Sequence, residues 1–193
     1  MTSIADFDFT AGTLSDAVIT ASLAVRRDFP ADDVRARLAA LVAEARAEIP
    51  SELAADLQVE QLIALFWGRW GFGGASGVYR LSDTLWLDNV LRTRQGTAVS
   101  LGVIFLHIAD QLDLPMMPVI FPTQLILRAD WIDEDMWLIN PFDGETLDEH
   151  QLEVWLQGNI GPGTELYDDD LQEAEPLMVL RKMLDTLKSA LMD

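Results

Sequence analysis

The chain has 193 residues, with 32 acidic against 13 basic side chains, a net charge of −19 and no cysteine. Without cysteine there is no disulfide, no thiolate metal site and no cysteine nucleophile, and two histidines, His107 and His150, are too few for a His-rich metal centre. So acidic a surface repels nucleic-acid phosphates and anionic membranes, and no apolar run approaches the ~20 residues that cross a bilayer.

Half of the residues are hydrophobic, enough to bury a core, and no long Gly/Ser/Pro tract interrupts them. The first residues, MTSIADFDF, lack the basic and apolar regions of a secretory signal, so a cytoplasmic protein without cofactor or metal is expected.

Residues 14–26 read as a first helix, capped by Thr13 or Ser15, with Leu14, Ala17, Val18, Ala21 and Val25 on one side. Phe29-Pro30 breaks it. Asp32 or Asp33 then opens a second helix to about Glu48, with Val34, Leu38, Leu41, Val42 and Ala45 inward. Pro50-Ser51-Glu52 opens a third, carrying Leu53, Leu57, Leu62, Ile63, Leu65 and Phe66. Residues 68–74 are glycine-rich, lack the spacing of a phosphate-binding loop, and read as a flexible connection with an aromatic plug. A short helical segment follows over residues 82–91.

Residues 92–96, RTRQG, form a polar elbow before the central helix, residues 97–112, which is apolar on most sides. Short β-prone runs follow at 117–121, 124–128 and 137–140, with a turn at Asp133-Glu134-Asp135 before the last. Asp148 starts another helix to about Gln157, and residues 158–163 form a loop. The acidic run Tyr167-Asp168-Asp169-Asp170 lacks the pattern of a calcium loop and reads as a solvated loop. Glu175-Pro176 opens a last helix with Leu177, Leu180, Leu184, Leu187 and Leu191 as its apolar stripe. The expected fold is α+β: a helical N-terminal part (1–74), a core of a central helix on a small antiparallel sheet (75–165) and a C-terminal helical extension (166–193), forming one compact unit.

Ser100 stands in the first turn of the central helix, where the helix dipole favours an anion or a nucleophile. A serine nucleophile needs a base in hydrogen-bond reach. His107 lies seven residues on, ~10 Å along the same helix, and reads as a core or edge histidine. A capping or packing role for Ser100 is the simpler reading.

Five short motifs occur in order: LDNVL (87–91), RTRQGTAVSL (92–101), LDLP (112–115), FPTQLILR (121–128) and INPFDG (139–144). In this combination the chain resembles the bacterial SirB-type family of transglutaminase-like proteins, named after an invasion regulator, over nearly its whole length. The resemblance implies a papain-related core in which a cysteine at the N-terminus of the central helix faces a histidine on the next strand and an aspartate on the one after. Matched motif by motif, the cysteine position falls near Ala98, with Ser100 one possible offset away. Gln124 holds the histidine position and Asn140 the aspartate position. Arg94 and Thr123 are further candidates for the cleft. Members of the family often continue into tetratricopeptide repeats, and this chain ends where those would begin.

The departures from the family pattern decide the expected chemistry. Ala98 has no nucleophile, Gln124 cannot exchange a proton near neutral pH, and Asn140 carries no charge to stabilise an imidazolium. Gln124 and Asn140 are expected to hydrogen-bond each other, keeping the geometry without the reaction. The expected function is therefore that of a non-catalytic protein-interaction or regulatory module with a protein or peptide partner. The alternatives are a hydrolase or acyltransferase using Ser100 with His150 or a carboxylate, and a domain that mainly supports the repeats.

Overall fold

The computed structural model describes residues 8, 12–77, 80–131 and 135–192. It shows an α+β fold with seven α-helices and a four-stranded antiparallel sheet among those residues. In the expected turn at Asp133-Glu134-Asp135, the first two residues lie outside the described set.

Helix α1 (Leu14–Val25) follows the apolar spacing of the sequence except at Val25, which ends the helix exposed while Ile19 is buried in its place, and α2 (Ala31–Glu48) follows it throughout. Thr13 caps α1, its hydroxyl accepting the Asp16 backbone N–H, whereas α2 starts from Pro30 rather than from Asp32 or Asp33. The third helix differs from expectation. Residues 50–53 form a turn, α3 spans Ala55–Ile63, and a π-helical turn carries the chain on over Ala64–Arg69. That turn points Phe66 into the core against Phe72 and Phe105, with ring centroids 4.3 and 5.3 Å away. The glycine-rich connection is thereby pinned, and it adds a strand that sequence reading missed. Strand β1 (Gly73–Gly74) pairs in parallel with β2 (Gln95–Gly96).

A 3-10 turn (Leu81–Thr84) leads to α4 (Leu87–Thr93), whose last turn closes on Arg94 in the left-handed conformation, φ 63°. The elbow is thus a tight reversal. Its far side is α5 (Ala98–Gln111), buried on nearly every side, as its composition demands.

Strands β3 (Met116–Ile120), β4 (Leu125–Asp130), β5 (Met136–Ile139) and β6 (Thr146–Leu147) pair in that order. Alternate side chains of β4 go to opposite faces of the sheet. Leu125 and Leu127 join the main core under α5, while Ile126 joins Val119, Phe121, Leu138, Leu152 and Leu156 under α6 (Glu149–Asn159). A strand buried on both faces reads as a continuous apolar run, which is what LIL supplies. Gly102 sets the distance between helix and sheet, since a Cβ there would lie 2.6 Å from Leu125 Cδ2.

The acidic run forms a 3-10 turn, Asp168–Leu171, before α7 (Pro176–Met192). The face that α7 buries is Val179, Leu180, Met183 and Leu187, while Leu177 and Leu191 are exposed. It packs on α1 and α5, so its partner is the body of the domain. No helix among the described residues is long and apolar enough to cross a membrane.

Candidate functional site

The N-terminus of α5, the start of β4 and the end of β5 come to one end of the sheet. Ala98 is buried and shares a helix face with Gly102 one turn on, which rests on Leu125. The residue before Leu125 is Gln124, half-buried, and its Nε2 donates to Asn140 Oδ1 at 3.1 Å.

The orientation of this pair follows from a third contact. The Phe142 backbone N–H donates to Asn140 Oδ1, also at 3.1 Å, so that atom must be the oxygen and not the amide nitrogen. Gln124 must then present its own nitrogen, which it also directs at the Leu125 carbonyl, 3.4 Å away. Neither Gln124 Oε1 nor Asn140 Nδ2 has a protein partner among the described residues. Beside them the Thr123 hydroxyl is buried without a partner.

The turn after Asn140 is held from the helical side. Trp67 Nε1 donates to the Pro141 carbonyl at 2.9 Å, and Gly74 N–H donates to the Phe142 carbonyl at 3.1 Å. Gly144, at φ 75°, lies so close to the Trp67 ring that a Cβ would come within 2.5 Å of it. Phe142 remains 37% exposed and covers Gly74. Sequence reading missed Trp67, Gly74 and Phe142 as parts of this site. The Pro-Phe-Asp-Gly run after Asn140 was the available signal, since a turn that ends a site strand also builds its wall.

Ser100 does not join this group. Its side chain is 0% exposed, and its hydroxyl donates to the Thr84 carbonyl at 2.6 Å while accepting the Thr97 N–H at 2.9 Å. Together with Thr97 it forms the capping box of α5, so its hydroxyl is used up in closing the helix. Gly96 is required beside it, because a Cβ would lie 2.6 Å from Ser100 Oγ. Among the described residues no contact links Ser100 to His150, which is exposed on α6, or to a carboxylate. The Ser100-based site expected as the alternative is not assembled here.

Arg94 is likewise committed elsewhere. Its guanidinium stacks over the Phe72 ring, 4.6 Å from the centroid, with Nη1 buried and unpartnered. Burial pulls its pKa down, helped by the like charge of Arg37 and opposed by the favourable field of Glu44 on α2. Among the described residues no three His, Asp or Glu side chains gather in a way that could hold a metal ion. What the site can do chemically is offer neutral hydrogen bonds: one acceptor, one amide donor and a buried hydroxyl beside an exposed ring.

Residues 32–185 match the family described as Transglutaminase-like superfamily. The SirB1 protein of Salmonella typhimurium is 59% identical over all 193 residues, which cover 72% of its length. A UPF0162 protein of Buchnera aphidicola from Acyrthosiphon pisum is 60% identical, and the UPF0162 protein YchA of Escherichia coli K12 is 56% identical, each over the whole chain and 72% of the relative. No solved structure matches the chain.

Proposed function

We propose, for a chain that belongs to the transglutaminase-like superfamily and to its SirB-type branch, that this end of the sheet binds and does not react. Ala98, Gln124 and Asn140 hold the positions of cysteine, histidine and aspartate in reactive relatives, and the domain acts as a protein-interaction or regulatory module. The observation that carries this reading is the Gln124–Asn140 bond, whose orientation is fixed by the Phe142 N–H. It replaces an imidazole–carboxylate pair with two neutral amides and removes every general base from the position where one is needed.

The same bond defines what the cleft accepts. A free acceptor on Gln124 and a free donor on Asn140 match the N–H and C=O of one amide group, as found in a peptide backbone. Phe142 supplies an apolar wall beside them. The net charge of −19 favours a neutral or basic segment over an acidic one. The cysteine-free chain needs no oxidising compartment to fold, and we place its action in the cytoplasm.

The test is a pair of measurements on the full chain. Glutamine-containing peptides with an amine acceptor, and acyl esters, are assayed for turnover, and the Gln124 and Asn140 side-chain amide resonances are followed as the peptides are added. Shifts of those resonances without turnover are expected. Turnover that disappears on mutating Gln124 or Asn140 overturns the proposal.

A further inference from the structure

Strand β3 is an edge strand, and its free side is only partly covered. Pro118 has no N–H to give to a ladder and stands where that is tolerated, with its nitrogen on the outer side of an edge strand. Its carbonyl points the same way and accepts the Ala174 N–H at 2.8 Å, from the segment that leads into α7. The Met116 N–H also leaves the sheet, donating to the Leu114 carbonyl at 2.8 Å. Backbone groups alternate sides along an antiparallel strand, so Met116, Pro118 and Ile120 share the outer side. The N–H and C=O of Ile120 therefore face away from β4, and neither has a protein partner among the described residues.

Ile120 lines an open groove of about 390 Å³ against α7, whose wall is Met178, Arg181, Lys182, Asp185 and Thr186. Met178 is exposed there. The groove opposes the charge of the protein around it. The chain has only two lysines, Lys182 and Lys188, and both stand on α7 with Arg181. None of the three has an ion pair among the described residues, and Asp185, the one acid in the groove, pairs with none of them. Two unpaired cations thus stand beside an unpaired piece of strand edge. In about 0.1 M salt, exposed charges further than ~10 Å are largely screened, so these cations outweigh the net charge of −19 at this place.

From this arrangement we infer that the groove between β3 and α7 docks an extended acidic segment of a partner protein. The backbone of that segment adds to the β3 edge through the N–H and C=O of Ile120. Its carboxylates reach Arg181 and Lys182, and an apolar side chain covers Met178. Strand addition of this kind draws affinity from main-chain hydrogen bonds and selectivity from the flanking side chains. The Ala174 N–H closes the edge at Pro118, so the paired stretch is short and the charges carry most of the selection. Gln124 reaches the other way, to Asn140 at the end of β5, so this site is separate from the cleft and stands without it.

The experiment uses the full chain with three hexapeptides: one alternating valine with glutamate, one alternating valine with lysine, and the first methylated on every backbone nitrogen. Binding is read from the Ile120 backbone amide resonance and from the fluorescence anisotropy of labelled peptide. The valine–glutamate peptide is expected to shift the Ile120 amide saturably and to leave the Gln124 and Asn140 side-chain amides unmoved. The lysine and methylated peptides are expected to act at Ile120 at least tenfold more weakly. Arg181→Gln combined with Lys182→Gln, where neither side chain has an ion pair to lose, is expected to raise the Kd of the glutamate peptide about tenfold or more. Equal binding of the methylated peptide removes the strand pairing and overturns the inference. So does equal action of the lysine peptide at Ile120, an unchanged Kd in the double variant, or an Ile120 amide that no peptide perturbs. Self-association of the unaltered chain that buries the Ile120 amide, seen by sedimentation, would make the occupant a second copy and overturn it as well.

Discussion

Gln124 and Asn140 meet side chain to side chain at 3.1 Å from the start of β4 and the end of β5, and the Phe142 N–H that shares the Asn140 oxygen fixes which atoms face each other. Removing this oxygen takes the protein acceptor from the Phe142 N–H and leaves Gln124 only its longer contact to the Leu125 carbonyl, while restoring it as a carboxylate does not. Asn140→Ala is expected to lower stability by about 1–2 kcal/mol, and Asn140→Asp to leave it nearly unchanged at pH 7. Urea unfolding of the two variants checks this. Equal losses in both would mean that the bond is not what holds the strand end.

Ser100 is expected to matter for folding and not for reaction. Its hydroxyl satisfies the Thr84 carbonyl and the Thr97 N–H inside the protein. Ser100→Ala leaves both with only their own longer contact, Thr97 N–H to the Thr84 carbonyl at 3.3 Å, and should cost about 1–2 kcal/mol. Peptide-induced shifts at Gln124 and Asn140 should survive below the new melting temperature. A variant with unchanged stability would show that the capping box contributes nothing.

Gly144 is the position least able to change. Its φ of 75° is strained for any residue with a side chain, and the Trp67 ring occupies the space a Cβ needs. Gly144→Ala should cost about 2–4 kcal/mol and loosen the Trp67 Nε1–Pro141 bond, which moves tryptophan emission to longer wavelength. Retained emission together with retained stability would contradict this account of the turn.

Much of this was legible in the chain. The apolar spacing of α2 marks its five buried positions, and the all-round apolar character of α5 places it at the centre. Short-range patterns could not show the π-helical turn at Ala64–Arg69, because tertiary packing of Phe66 on Phe72 and Phe105 decides it. Nor could they pair Gly73–Gly74 with Gln95–Gly96, two-residue strands with no period of their own. At the candidate site the Gln124–Asn140 bond was expected from the motif order. The Trp67 support was not, since it reaches across 74 residues to a carbonyl that sequence cannot mark as special. Arg94 shows the opposite failure. An arginine in an elbow suggests a cleft, yet its long apolar stem lets it stack on Phe72 instead.

The histidine at the other end of α5 gives stability a pH dependence. Burial holds the His107 pKa below 6.5 in the folded chain, opposed by Asp16 and Asp110. The unfolded chain therefore takes up this proton first as the pH falls, and stability rises with pH wherever the unfolded state binds more protons. The contribution is intact above pH 6.5 and is lost as the pH falls from there through the folded pKa. Urea unfolding at pH 7.5, 6.5 and 5.5 should show a smaller loss for His107→Gln than for the unaltered chain. Identical slopes would remove the burial argument.

The sharpest prediction rebuilds what the cleft lacks. Ala98→Cys alone places a thiol at the first position of a 14-residue helix, with two neutral amides for company. Adding Gln124→His and Asn140→Asp supplies an imidazole held by a carboxylate, the arrangement that draws a proton from a thiol and lowers its pKa by more than the helix does. A thiol brought from about 8.5 to about 7 is some thirtyfold more ionised at pH 6. The triple variant should therefore react with iodoacetamide at pH 6 about tenfold or more faster than the single one, with the double variant lacking cysteine as the blank. Equal rates in single and triple variants would mean that Ala98 does not face Gln124 and Asn140, and the assignment of these three positions would fall with it.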